Sequence, residues 1–185
     1  MKKFLTLKHW QIFGLLLITP IVFDIITFGS VINNNESRTI FYLFPIMMIL
    51  CMGVFFGWFY ALGTNLHKKL PGTVSMNLTR FKLFLITPVT YIALMSVFMM
   101  VIFPASYNDA PLNPSFFALI IPLHLFSMFC IFYCLYFIAK ALKAVELQQP
   151  VTFGDFAGEF FLIWFFPIGI WIIQPRINKL FEPTL

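Results

Sequence analysis

Four long apolar stretches, Trp10 to Ile32, Ile40 to Leu62, Leu83 to Phe103 and Phe116 to Ala139, constrain this chain more than any other feature. Each holds 21 to 24 residues and one proline, and polar loops separate them. At about 1.5 Å per residue such helices reach about 31–36 Å, enough to cross a hydrocarbon core of about 30 Å with modest tilt. Strands are excluded in this setting, because an isolated strand leaves its amides unsatisfied in lipid. The expectation is therefore an all-α, polytopic bundle of four transmembrane helices forming one integral membrane domain over residues 1–185.

Composition excludes an ordinary soluble domain. Apolar residues make up 61% of the chain and charged residues only 10%, against about 25% charged in globular proteins. The net charge of +5 does not point to nucleic acid, because the basic residues lie in short loops flanking the spans rather than on a solvated face. With the N-terminus inside, eleven of the twelve Lys and Arg residues fall on the inner side and only Arg38 lies outside, the asymmetry expected of cytoplasmic loops. Trp10, Trp58, Tyr60, Tyr133 and Tyr136 gather toward the same boundary and read as an aromatic belt. The N-terminal run imitates a signal peptide, but its length, Asp24 and the Asn33-Asn34-Asn35 ending favour a retained first span.

A fifth apolar run, Phe160 to Ile173, has only 14 residues and is broken by Pro167-Ile168-Gly169. The preferred reading over residues 153–174 is a re-entrant or interfacial helical hairpin turning at Pro167 to Gly169; the alternative is a fifth span. Thr152 and Asp155 suit a capping-box-like start. Asp155 and Glu159, four apart, share a helix face near the inner boundary, where Lys140, Lys143 and Arg176 are candidate partners. Asp155, Glu159, Pro167, Gly169 and Arg176 together form a candidate interface.

Two further patterns concern packing. Leu17-Ile18-Thr19-Pro20 recurs as Leu85-Ile86-Thr87-Pro88, and Pro45, Phe55 and Phe59 align with Pro122, Phe132 and Tyr136, as in two tandem helical hairpins. Gly53 and Gly57 then fall on Cys130 and Cys134, a stripe of small residues that lets helices approach closely. Gly154 and Gly158 repeat the spacing. The three cysteines lie within spans and read as packing rather than as metal ligands or disulfides, so no cofactor or metal is expected.

Intramembrane polar residues are the remaining candidates. Asp24 and His124 each lie eight residues from the outer end of their spans and Ser96 lies at nearly the same level. An ionisable group in a span is costly and usually partnered, so an Asp24–His124 pair is expected. It reads either as a buried pair that fixes helix register or as a proton-relay or ligand site. The four prolines free backbone carbonyls that Thr19 and Thr87 can help satisfy. No zinc-protease, phosphate-loop or nucleophile-elbow motif occurs, and Asn77-Leu78-Thr79 matches a glycosylation sequon only in an inner loop.

Through Lys8-His9-Trp10-Gln11-Ile12-Phe13, Gly53 to Tyr60, and Val151 to Glu159 running on to Gln174-Pro175-Arg176-Ile177-Asn178-Lys179, the chain resembles a group of uncharacterised small four-pass bacterial membrane proteins. The resemblance implies a bacterial inner-membrane location and makes the tail the distinctive part. Two functions fit these readings. One is a non-catalytic scaffold, accessory or regulatory subunit of a membrane complex, meeting the bilayer and either a membrane-protein partner or further copies of itself. The other is a small transporter or channel component using the Asp24 and His124 layer.

Overall fold

The computed structural model describes residues 3–32, 38–109 and 115–182. The outer Asn33-Asn34-Asn35 turn falls outside them. Among the described residues every regular element is a helix, in the order α1 (Lys3–Thr6), α2 (His9–Ile32), α3 (Arg38–Lys68), α4 (Leu78–Asp109), α5 (Ser115–Leu147), α6 (Phe153–Trp164) and α7 (Phe166–Phe181). Four of these helices are long and apolar enough to cross a membrane: residues His9–Gly29, Leu43–Lys68, Leu78–Val101 and Phe117–Leu147. The protein is thus an all-helical, four-span membrane bundle.

The helices outrun the apolar stretches at the end of the bundle that carries most Lys and Arg. The 31 residues of α3 make a rod of about 46 Å, roughly three turns longer than a hydrocarbon core. The extra turns bury Leu66 on α3 and Ala141, Leu142, Ala144 and Val145 on α5. Asn77 caps α4, its Oδ1 accepting the Arg80 amide at 2.9 Å, and the His67 ring lies 2.9 Å from the Met76 carbonyl, tying the α3–α4 loop down. The Asn-Leu-Thr run is thus a helix start. Gln148 takes a left-handed conformation just past α5, and Pro150 prevents resumption of the helix.

Packing is strongly asymmetric along the bundle. Trp58, Phe59, Phe81, Phe137 and Phe156 are fully buried, and all lie in the basic half. Toward the opposite end Ile18, Ile21, Ile25, Phe28, Leu94, Val97, Leu119 and Leu125 are exposed. Helix α2 rests on α3 and α7 and has no extensive contact with α5. Spans meet through aromatic pairs such as Phe84 with Tyr133 at 4.7 Å, and in one place through a glycine. A Cβ on Gly63 would lie 2.2 Å from the Phe81 ring, which stacks on Phe137 at 4.5 Å, so Gly63 admits α4 against α3.

The small-residue stripe resolves differently along its length. Cys130 and Cys134 are buried and a Cβ placed on Gly57 would lie 3.3 Å from the Phe4 ring, but nothing lies within 4 Å of a Cβ placed on Gly53. Gly158 is likewise open, so the Gly154 and Gly158 spacing marks no close approach. Pro45 is buried whereas Pro122, its partner in the proposed repeat, is exposed. The Thr19 and Thr87 hydroxyls donate to the Leu15 and Leu83 carbonyls at 3.2 and 3.0 Å, each one residue before the carbonyl freed by the following proline.

The last two helices form a hairpin rather than a continuous fifth span. Phe165 alone breaks the helix (φ −82°, ψ 57°) while its amide still bonds the Phe161 carbonyl at 2.8 Å. The expected turn at Pro167 to Gly169 is therefore displaced. Pro167 sits in the first turn of α7, where no amide donor is needed, and Gly169 lies in the crossing. A Cβ on Gly169 would fall 1.6 Å from the Leu162 carbonyl oxygen, so only glycine lets the two arms meet. The 12 residues of α6 reach about 18 Å, a little over half a bilayer core. Trp164, Phe165 and Ile168 at the tip are exposed, as suits a turn immersed in lipid.

Candidate functional site

Three groups of residues carry chemistry beyond simple packing. The first lies at the base of the hairpin. Arg176 on α7 places Nε on Glu146 Oε1 at 2.8 Å and Nη2 on Glu146 Oε2, a bidentate pair with the end of α5. The same Nη2 reaches Glu159 Oε1 on α6 at 2.7 Å, and Lys143 Nζ on α5 reaches that oxygen at 3.2 Å. Glu159 is only 5% exposed. Burial pushes its carboxyl upward, but the hydrogen bonds from Arg176, from its own helix and from Lys143 together outweigh this and hold it below the usual carboxylate range. The Arg176 guanidinium is raised by Glu146 first, against burial, and then by Glu159.

This geometry separates Asp155 from Glu159, which share a face in sequence but not a role. The Asp155 carboxylate turns back and accepts both the Thr152 amide at 2.7 Å and the Thr152 hydroxyl at 2.8 Å. These two bonds lower its pKa, the backbone bond more than the hydroxyl. Glu159 and Arg176 are committed to internal pairs that lock the hairpin to α5, and Gly169 is buried in the arm crossing, so these three do not present a free interface. Lys140 lies over the Tyr136 ring at 5.8 Å, away from both carboxylates.

Beside this cluster Gln174 joins α1, α3 and α7. Its Oε1 accepts the Trp58 indole N–H at 3.0 Å, and its Nε2 faces the Phe4 carbonyl at 3.0 Å, the Leu7 carbonyl at 2.9 Å and Asn178 Oδ1 at 2.9 Å. Gln174 and Trp58 are both fully buried. Trp58 is therefore a core residue, not part of an interfacial belt, because its polar end finds a partner inside the protein. The signal in the sequence was the Gln174-Pro175-Arg176-Ile177-Asn178-Lys179 run, three of whose polar side chains prove to be structural.

The second group is the intramembrane polar layer, which the fold does not assemble. His124 lies against Tyr91, its Nδ1 3.1 Å from the phenol oxygen, linking α4 to α5. Ser96 is fully buried and donates to the Ile92 carbonyl at 2.8 Å. Asp24 is exposed on α2, in a shallow recess with Ile25, Thr27 and Phe28. The expected Asp24–His124 pair is thus not formed: α2 packs on α3 and α7, and Tyr91 supplies the partner that His124 needs. Among the described residues no side chain hydrogen-bonds or ion-pairs with Asp24, and no cluster of three His, Cys, Asp or Glu side chains suits a metal ion.

The third group is an apolar cleft of about 430 Å³ between the spans, directly above the hairpin tip. Residues from α2, α3, α4 and α5 form its walls, and Phe166 and Pro167 of α7 form its floor. Phe166 is held there by edge contacts to Phe55 at 5.8 Å and Trp58 at 5.5 Å. No motif announced this cleft, since its lining is the same Leu, Met and Phe that fill any span. No protein family, curated protein or solved structure matches the chain.

Proposed function

We propose that this protein is a non-catalytic accessory or scaffolding subunit of a bacterial inner-membrane complex, with both ends of the chain cytoplasmic, and that it receives a helix of another integral membrane protein along α2. The observation that carries the reading is Asp24, a carboxylate exposed on a helix whose neighbours Ile21, Ile25 and Phe28 are also exposed. A carboxylate facing hydrocarbon costs about 2.5–3.5 kcal/mol even on lenient insertion scales, and such residues are retained where a partner satisfies them. A donor or cation on a partner helix removes that cost and fixes the register of the contact.

The tightly knit basic half supports this role by providing a rigid base from which the loosely packed half presents a face. Transport through a shared Asp24 and His124 layer draws less support, because the two side chains serve different surfaces. The test is site-specific photocrosslinking in native membranes with a benzophenone side chain at Ile21 or Ile25. A discrete heterologous adduct that persists in the wild-type background and disappears with Asp24→Leu supports the proposal. Adducts to lipid alone, a self-adduct of doubled mass, or a partner adduct indifferent to Asp24→Leu overturns it.

A further inference from the structure

We propose that the inner end of the seam between α4 and α5 binds the phosphate of an anionic phospholipid through Arg80 and Lys140. Arg80 shares a face of α4 with Phe84, one turn later, and Phe84 meets Tyr133 of α5 edge-on at 4.7 Å. Arg80 also lies close enough to Tyr133 to interact with it electrostatically. On α5, Phe129, Tyr133, Tyr136 and Lys140 follow the i, i+4, i+7, i+11 spacing of one helix face. This face is the lipid side of the seam: Phe129 and Tyr136 are exposed, whereas Phe81 and Phe137, which stack between the same two helices, are buried on its inner side. The stack also sets the level of the two cations. Arg80 precedes Phe81 by one residue and Lys140 follows Phe137 by three, so in these antiparallel helices their backbones differ by about 3 Å in depth. Packed helices lie about 8–10 Å apart, a gap that an arginine and a lysine side chain can close around one phosphate.

Charge and depth select the occupant. Among the described residues neither Arg80 nor Lys140 forms an ion pair, because Glu146 and Glu159 are held by Arg176 and Lys143 and Asp155 turns back to Thr152. Lys140 is half-buried and reaches back over the Tyr136 ring, one turn toward the hydrocarbon. An ammonium at that depth is costly unless an anion meets it. Arg80 and Lys140 flank the apolar stretches that begin at Leu83 and end at Ala139, the level at which headgroups lie and at which basic pockets between spans take up anionic lipids. The positive end of the α4 dipole adds to the field there. A lipid suits the site better than free phosphate, because the seam opens sideways and exposed Leu83 and Phe129 continue it into the hydrocarbon, where acyl chains would lie. A zwitterionic ethanolamine headgroup would bring an ammonium toward two like charges; an anionic headgroup does not. The site lies on α4 and α5 and does not involve Asp24 of α2.

The experiment uses the full chain in mild detergent, with phosphatidylglycerol and phosphatidylethanolamine of identical acyl chains as probes. Native mass spectrometry should show phosphatidylglycerol retained in preference to phosphatidylethanolamine. Its affinity should fall roughly thirtyfold when Arg80→Gln and Lys140→Gln are combined. Lys8→Gln combined with Lys179→Gln removes the same charge from exposed positions elsewhere and should leave retention unchanged. Equal retention of the two lipids, undiminished retention in the Arg80 and Lys140 variant, or equal loss in the Lys8 and Lys179 variant overturns the site, the last by showing attraction to net charge alone. Displacement of the lipid by inorganic phosphate at equal concentration overturns it in favour of a soluble anion. Should the Arg80 and Lys140 variant fail to fold, the wild type decides alone: phosphatidylglycerol carrying a diazirine beside its headgroup should crosslink to residues 80–84 and 133–140, and crosslinks confined to other basic positions such as Lys68 and Lys179 refute the proposal.

Discussion

Replacing Arg176 with methionine should be the most damaging single change at the hairpin base. Arg176 neutralises Glu146 through two hydrogen bonds and Glu159 through a third, and among the described residues Lys143 is the one other cation paired with Glu159. Arg176→Met leaves two carboxylates facing one lysine. Breaking a buried pair by removing one partner costs about 3–5 kcal/mol. The Arg176 and Glu146 side chains are 29% and 21% exposed, so solvent screens part of the loss and the lower end, about 3 kcal/mol, applies. For a chain of this length that corresponds to about 6–12 °C in melting temperature. Unfolding in detergent, followed through tryptophan fluorescence, measures it. Adding Glu146→Gln and Glu159→Gln removes the stranded charges and should recover a large part of the loss, so the substitutions should be strongly non-additive. Arg176→Lys keeps the charge but not the two-pronged contact and should fall in between. A shift within 1 °C for Arg176→Met, or additive effects across the set, would refute the idea that this cluster holds the hairpin.

Other outcomes follow from the same geometry. Gly169→Ala should lower the melting temperature sharply or abolish folded yield, because its Cβ meets the Leu162 backbone at 1.6 Å, whereas Gly158→Ala, with nothing within 4 Å, should be neutral or slightly stabilising. Gln174→Leu should cost about 2–3 kcal/mol by stranding the buried Trp58 indole and the α1 carbonyls, read as a lower melting temperature and as faster proteolysis near Leu7. Glu159 is held below its ordinary value of 4.5 in the folded protein, so its contribution is fully present above that pH. As the pH falls below it the unfolded chain takes up protons first, and stability is lost progressively through the lower folded pKa. Melting curves from pH 7 to 3.5 should show this decline, and Glu159→Gln should flatten it.

What the sequence disclosed and what it concealed follow from the length scales of the signals. The spans were legible because about twenty consecutive apolar residues have one solution in lipid. The hairpin was legible because fourteen residues broken by Pro167 and Gly169 are too few to cross. Its turn was misplaced by a few residues, since proline marks the first turn of a helix as readily as the bend before it. The short α1 segment was missed because its ordering comes from Gln174, 170 residues away from Phe4, and no local pattern reports such a contact. Asp24 and His124 looked paired because depth in the membrane can be counted along a helix, while rotation about its axis depends on which neighbour it packs against. The glycines show the same division. Gly53 and Gly57 had the recognisable spacing, yet Gly63 and Gly169 make the closest contacts, and each stands alone in sequence. The apolar cleft was invisible for a further reason: a void is a property of side chains that fail to meet, and composition does not register it.

The central claim, four spans closed at one end by a hairpin that returns to the side it left, is tested most directly by sided labelling of single cysteines. With Cys51, Cys130 and Cys134 replaced by alanine, cysteines at Lys68, Ala144, Leu180 and Asp109 are exposed in turn to a membrane-impermeant maleimide in oriented vesicles. The Lys69 ammonium donates to the Leu180 carbonyl and lies over the Phe181 ring at 4.6 Å, so the end of α7 sits beside the end of α3. Positions 68 and 180 should therefore label from the same face, with 109 labelling from the opposite one and 144, in a buried turn of α5, labelling weakly and only from the first face. Labelling of 180 together with 109 would convert α6 and α7 into a fifth crossing and contradict the account.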